Sequence, residues 1–473
     1  MPGRAARGAT ATAAAGAATG TAEAVTARAT GTATVPGTGT RAGPGVPEPH
    51  VLTELDSGIR VVTERVPSVR SVALGLWVRV GSRDETESEA GISHFLEHML
   101  FKGTPELSAE QIAQEFDGLG AEVNAATSKE ATVLHAHFLD EHLERAFEVM
   151  GDMLLRSTYA DLESEREVVL EEIAMYEDEP QDKVHDVLSE AVFGNHPLGR
   201  PVIGRGDVVG NLTADEVSTY HDDRYVPGAI VVAAAGNLEH EQIEALARRG
   251  LANGSRNGDA RKPAPADDPA GRRVMFHRKD TEQYHVCLGG HGIARRDERR
   301  FTLSILDAIL GGSTSSRLFQ EVREKRGLAY AVYSWASQYQ DTGQVGVYVG
   351  TREDNGVEAL DVIGRELDRL RQESVGEDEL RRAREHVKGR LALSMESTAS
   401  RMNRIGRSVL MDIPLLTLDE TIARLEAVTR EQIEELAREL YPPTGLSVAA
   451  IGREESLFRD ALGSVGAEFS DVA

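Results

Sequence analysis

Two histidines four residues apart, with a glutamate between them, stand in the segment 91–101, GISHFLEHMLF. On a helix His94 and His98 project from one face, a turn apart, so both imidazoles reach a single ion. Glu97 lies on the same side. The order H-x-x-E-H is the reverse spelling of the H-E-x-x-H zinc helix. The residue types suit the chemistry. Neutral imidazoles hold Zn2+ without cancelling its charge. A carboxylate that is not a ligand can then accept a proton from water and pass it to a leaving amine. Ile92, Phe95, Met99 and Phe101 make this helix largely buried, and polar groups on a buried helix need a partner.

A catalytic zinc takes a third protein ligand and keeps one position open. The helical pattern over 162–176, LESEREVVLEEIAMY, offers glutamates at 163, 165, 167, 171 and 172. At about 100° per residue, Leu162, Val168, Val169, Ile173, Met175 and Tyr176 form an apolar arc with Glu172 near its middle. Glu165 shares that bearing to within about 20°. A carboxylate centred in an apolar face is costly unless it pairs with a charge or binds metal. Glu172 is therefore the expected third ligand and Glu165 a supporting group behind the ligands. A buried ion pair with an arginine or lysine is the competing explanation.

The elements that carry these residues come in duplicate. The segment 58–85, GIRVVTERVPSVRSVALGLWVRVGSRDE, matches 271–298, GRRVMFHRKDTEQYHVCLGGHGIARRDE, in register. The stretch from Thr213 through Tyr225-Val226-Pro227 to Gly236 matches that from Thr429 through Tyr441-Pro442-Pro443 to Gly452. Strands at 71–80 and 343–350 and helices at 141–155, 162–176 and 357–372 do not alternate regularly enough for a doubly wound sheet. The expected class is α+β: two homologous modules, each a largely antiparallel sheet with helices on one face. The boundaries expected are a disordered Ala/Thr/Gly-rich tail at 1–48, a metal-binding module at 49–252 and a linker at 253–270. A module without metal follows at 271–460, then a C-terminal tail at 461–473. The repeat puts Asp307, Leu310 and Gly311 where His94, Glu97 and His98 stand, so the second copy has lost the metal set.

Composition narrows the partners. Of 473 residues, 77 are acidic and 52 basic, a net charge of -25 that argues against nucleic acid. No apolar run reaches the length of a membrane span. The single cysteine, Cys287, forms no internal disulfide and suits a reducing compartment. The cytoplasm is the expected location, the mitochondrial matrix the alternative. His135 and His137 read as strand side chains rather than ligands, and His185 as a helix-surface residue.

With GISHFLEHMLFKGT, EREVVLEEIAMYEDEP and LGGSTSSRLFQEVREKRGLAYAVYS in this order, the chain resembles the pitrilysin-type metallopeptidases. The resemblance is to the short two-module branch that includes bacterial and mitochondrial processing peptidases, and it covers about 51–452. It implies a zinc endopeptidase of unstructured or presequence-like peptides, with one Zn2+ per chain held by His94, His98 and Glu172. Glu97 would be the general base and Glu165 the supporting glutamate. Asn124 resembles the family's asparagine on an edge strand that pairs with extended substrate. Arg323 and Tyr330 resemble the pair that reaches the substrate carbonyl from the second module. Each two-module chain would form a half-shell, so a homodimer would close the chamber; the alternatives are the catalytic subunit of a heterodimer with a homologue and a non-catalytic scaffold or peptide-binding homologue.

Overall fold

The computed structural model describes residues 50–251, 264–266, 272–442 and 446–462. The expected tail at 1–48 lies outside the described residues, as do the linker at 253–270 apart from 264–266 and the C-terminal tail beyond its first two residues. The first sheet contains β1 (Val51–Glu54), β2 (Arg60–Arg65), β3 (Ser71–Val78), β4 (Glu122–Thr127), β5 (Thr132–Leu139) and β6 (Ile230–Gly236). The second contains β7 (Val274–Arg278), β8 (Tyr284–Gly292), β9 (Ala329–Gln338), β10 (Gly343–Thr351) and β11 (Ser447–Gly452). Their orders are β1-β2-β6-β3-β5-β4 and β7-β11-β8-β10-β9. With β1 set aside, the two orders correspond strand for strand. In each sheet one pair is parallel, β2 with β6 and β7 with β11, and the others are antiparallel. The repeat is one of topology as well as of letters.

Strands β3, β6, β10 and β11 are buried along nearly their whole length, which requires cover on both faces. Each module's own helices cover one face. The other face is covered by a helix from the opposite module. Helix Thr398–Leu410 sets Met402, Ile405 and Val409 against Val62, Ala73, Trp77 and Ala233 of the first sheet. Helix Pro180–Phe193 reciprocates, laying Val184, Val187 and Leu188 on Cys287, Tyr348, Ala449 and Ile451 of the second. Close approach explains one glycine: a Cβ on Gly406 would come within 2.4 Å of Trp77 Nε1.

The exchange corrects the reading of His185 as a surface residue. It sits on Pro180–Phe193 against the second sheet, its Nε2 2.9 Å from Tyr333 Oη and its ring edge-on to Trp335. Burial pulls its pKa down to about 4. The face that looks solvated within one module is the face that covers the other.

In the second module Asp307, the counterpart of His94 in the repeat, is half-buried in helix Arg300–Leu310 and accepts a 2.5 Å hydrogen bond from the Ser334 hydroxyl. Burial raises its pKa to about 7. The folded pKa exceeds the unfolded value, so its contribution is fully present below about pH 4 and is lost as pH rises through 7. Asp307→Asn, which still accepts from Ser334, should remove about 2–4 kcal/mol of that loss, at about 1.4 kcal/mol per unit. Denaturant unfolding at pH 4 and pH 8 checks this: the variant should exceed wild type only at the higher pH. No helix among the described residues is long and apolar enough to cross a membrane.

Candidate metal centre

The helix that carries the histidines, Ile92–Met99, is held at its start by a buried carboxylate. Glu85 Oε2 accepts from the Gly91 N–H and Oε1 from the Ser93 N–H, both at 2.9 Å. A carboxylate at a helix N-terminus satisfies donors that have no partner inside the helix. Gly91 has φ 102, and a Cβ there would press within 2.9 Å of Gly204 Cα. Glycine at 91 thus lets the helix begin against this neighbour. The Ser93 hydroxyl meets Tyr220 Oη at 2.8 Å and ties the first turn to a later helix.

On this frame the two imidazoles stand edge to face, 4.8 Å between centroids. Helix Leu162–Asp178 brings Glu172 across to them. Glu172 Oε2 lies 3.4 Å from His98 Nε2 and 3.8 Å from His94 Nε2. One ligand atom from each residue falls within 4.8 Å of the others, and this is the one such group among the described residues. Two donors each about 2.0–2.1 Å from a tetrahedral zinc stand roughly 3.3 Å apart, so the spacing suits that ion. The tautomer suits it as well. His98 Nδ1 is 2.8 Å from Glu165 Oε1, an arrangement that puts the proton on Nδ1 and leaves Nε2 free to bind. Glu165 Oε2 pairs in turn with Lys102 Nζ. His94 Nδ1 is buried and has no hydrogen-bond partner among the described residues.

The electrostatics fit a cation site. Burial, then the neighbouring His98, pull His94 down to about 4. Burial also pulls on His98, but hydrogen bonds to Glu165 and Glu172 outweigh it and raise its pKa to about 9 in the metal-free chain, so a metal binding at Nε2 displaces a proton from it while Nδ1 keeps its own. His98 hydrogen bonding keeps the Glu172 carboxyl below its ordinary range. Glu97 differs: burial raises its pKa, against the Thr127 hydroxyl and main-chain N–H, which lower it. Thr127 Oγ1 donates to Glu97 Oε2 at 2.5 Å.

The apolar arc of Leu162–Asp178 is only partly covered, which corrects one expectation. Val169, Ile173 and Leu162 are buried as the arc requires, but Val168 is 50% and Met175 66% exposed. The Glu172 side chain, at 46%, borders this open side, and Glu165, at 8%, is the enclosed one. Periodicity gives the bearing of an apolar stripe but not whether anything lies over it.

Asn124 is exposed on β4, the edge strand beside the histidine helix, with its Oδ1 accepting from the Ala125 N–H at 2.8 Å. Arg323 and Tyr330 are brought to each other. The guanidinium lies 4.5 Å from the Tyr330 ring centroid and 4.7 Å from that of Phe319, in a π-helical turn, Phe319–Glu324. Tyr330 is 77% exposed. No hydrogen bond or ion pair among the described residues joins that pair to the histidines. Three residues at the site do not stand out in the sequence: Glu85, Lys102 and Thr127. Lys102 comes four residues after His98, within reach of helical spacing. Thr127 acts across a folded contact, and Glu85 through main-chain groups six and eight residues ahead that leave no mark in the letters.

Glu172→Gln should weaken zinc binding at least about a hundredfold, beyond the 10–100-fold expected of Glu165→Gln one layer out. Competition with a chromophoric chelator measures both. Unchanged zinc content in Glu172→Gln would move the third ligand to Glu171.

The family model described as Insulinase (Peptidase family M16) matches residues 60–206, and that described as Peptidase M16 inactive domain matches 211–387. A protein named an uncharacterized zinc protease from Streptomyces coelicolor is 44% identical over 399 residues, 82% of this chain and 86% of the relative. The uncharacterized zinc protease YmxG of Bacillus subtilis is 43% identical over 387 residues, 81% of this chain and 94% of the relative. Among solved structures, a peptidase M16 inactive domain from Pseudomonas fluorescens superposes with a TM-score of 0.79 at 23% identity, over 86% of this chain and 98% of that one. A protease from Helicobacter pylori gives 0.79 at 22%, over 85% and 99%. At those identities the two structures establish the fold alone.

Proposed function

The chain belongs to the M16 peptidase family in its short two-module form, whose relatives here are named zinc proteases, and on that premise we propose that it is a zinc metalloendopeptidase of unstructured peptides. The observation that carries the reading is the convergence of His94 Nε2, His98 Nε2 and Glu172 Oε2, with Glu97 beside them and outside the donor set. These three residues would hold one zinc per chain, with Glu165 fixing His98. When bound, the ion supplies Lewis acidity to the attacking water and the scissile carbonyl. Glu97 takes a proton from the water at Oε1 and delivers it to the amide nitrogen as the C–N bond breaks. Its raised pKa suits a group that must both accept and return a proton.

The open edge of β4 offers main-chain hydrogen bonds to an extended peptide, which binds many sequences and excludes folded ones. Asn124 projects from that strand to orient the peptide. Arg323 and Tyr330 supply donors to the carbonyl oxygen as it gains charge. Tyr330 is exposed and holds the half-buried Arg323 guanidinium against its ring, so its phenol stands open to a ligand with the Arg323 charge beside it. The second module keeps the first one's topology without its donor set, and it serves as wall and donor platform. Two chains then close the chamber as a homodimer.

Sedimentation velocity combined with fragment analysis tests this. A dimer that makes internal cuts in unstructured peptides and spares folded proteins is expected. A monomer of full activity would remove the chamber, a chain active only with an added homologue would make the assembly a heterodimer, and stepwise trimming from one end would remove the endopeptidase.

A further inference from the structure

We propose that Thr127 is a positioning residue for the general base, holding Glu97 Oε2 so that Oε1 alone faces the water and the leaving nitrogen. The inference rests on the reaction proposed above and adds a residue to it.

The contact is a 2.5 Å hydrogen bond from Thr127 Oγ1 to Glu97 Oε2. Hydroxyl-to-carboxylate bonds this short are charge-assisted and strong. The donor has little alternative. Thr127 closes β4, directly opposite Thr132 of β5. Thr132 is fully buried and spends its own proton on the Val80 carbonyl at 3.0 Å. Its Oγ1 lies 3.4 Å from Thr127 Oγ1, a longer and weaker contact than the one to Glu97. The strand ladder fixes where the hydroxyl stands, and the hydroxyl fixes the carboxylate.

Glutamate needs such an anchor. Its terminal torsion is broad and roughly two-fold, so an untethered carboxylate rotates both oxygens through the reacting position. A base that moves a proton between two heavy atoms gains from being held within about half an ångström of its working geometry. With Oε2 tied to the sheet, the proton travels from water to Oε1 and then to the amide nitrogen as the C–N bond breaks. Thr127 keeps its own proton throughout. The same strand, β4, offers its free edge to the substrate, so one rigid element would register both peptide and base.

The test compares zinc-loaded wild type with Thr127→Val, which keeps the shape and deletes the hydroxyl, and Thr127→Ser, which restores it. For Thr127→Val we expect kcat to fall roughly ten- to a hundredfold, with KM and zinc content unchanged, and near-complete recovery in Thr127→Ser. Thr127→Ala repeats the deletion should the valine variant not fold. Crystal structures of wild type and variant give a readout independent of turnover. Glu97 should hold one rotamer in wild type and be displaced or split in the variant. A variant with wild-type kcat, or one that raises KM alone, overturns the proposal, as does an unmoved Glu97. If wild type cuts nothing, the proposed reaction fails, and the Glu97 conformations still decide the role of Thr127.

Discussion

Glu97→Gln is expected to retain its zinc and to cut an unstructured peptide about a hundred- to ten-thousandfold more slowly than wild type, the range that positioned acid–base catalysis contributes. The substitution is conservative in shape. The amide oxygen it introduces would still accept from the Thr127 hydroxyl, which donates to Glu97 Oε2 at 2.5 Å. It removes the one property the reaction needs, a group that takes up and releases a proton. The donor set is untouched, because His94, His98 and Glu172 converge without help from Glu97. Zinc content and kcat measured on the same preparation separate the two effects. Retained zinc with a rate within about tenfold of wild type would place the base elsewhere.

Glu130→Ala is expected to lose about 3–5 kcal/mol of stability, the usual cost of stripping one partner from a buried ion pair. Glu130 lies in the β4–β5 turn and is 6% exposed. Its Oε1 accepts from Arg83 Nη1 at 2.7 Å and from the Gln340 N–H at 2.9 Å, and its Oε2 from Arg295 Nη1 at 2.7 Å. Arg83 continues to Asp341 at 2.8 Å. Arg295, Gln340 and Asp341 belong to the second module, and the latter two lie in its β9–β10 turn, the counterpart of the turn that holds Glu130. One carboxylate thus joins the two hairpins across the seam. Its loss takes a counter-charge from the Arg295 guanidinium, which is largely shielded from water and also donates to the neutral Gln338 carbonyl at 2.5 Å. Denaturant unfolding should show a lower midpoint. A change below about 1 kcal/mol would mean that the pair adds little beyond what solvent supplies.

The metal constellation is legible in the sequence because its core is local. His94, Glu97 and His98 fall within five residues, and a helix needs no tertiary contact to bring them to one side. Glu172 is legible through its bearing on a long helix, although the stripe that singles it out is half open at Val168 and Met175. Duplication is legible because both copies keep their strand and turn letters, and the matching sheet orders follow from it. The exchange of helices Pro180–Phe193 and Thr398–Leu410 is not. Amphipathicity states that a face is apolar and leaves open which module it covers, and His185 reads as a surface residue for that reason. Thr127 and Glu85 escape notice on similar grounds. The partner of Thr127 is fixed only once the sheet and the helix have docked, and that of Glu85 only once the loop before the histidine helix folds back on the helix's first turn.

Zinc-dependent peptide hydrolysis at His94, His98 and Glu172 is the central claim. Its most direct test is titration of the metal-free chain with zinc while cleavage of one unstructured peptide is followed. Activity should rise from zero and saturate at one zinc per chain, and Glu172→Gln should stay inactive at that ratio. Cleavage that persists in chain stripped of zinc would contradict the claim.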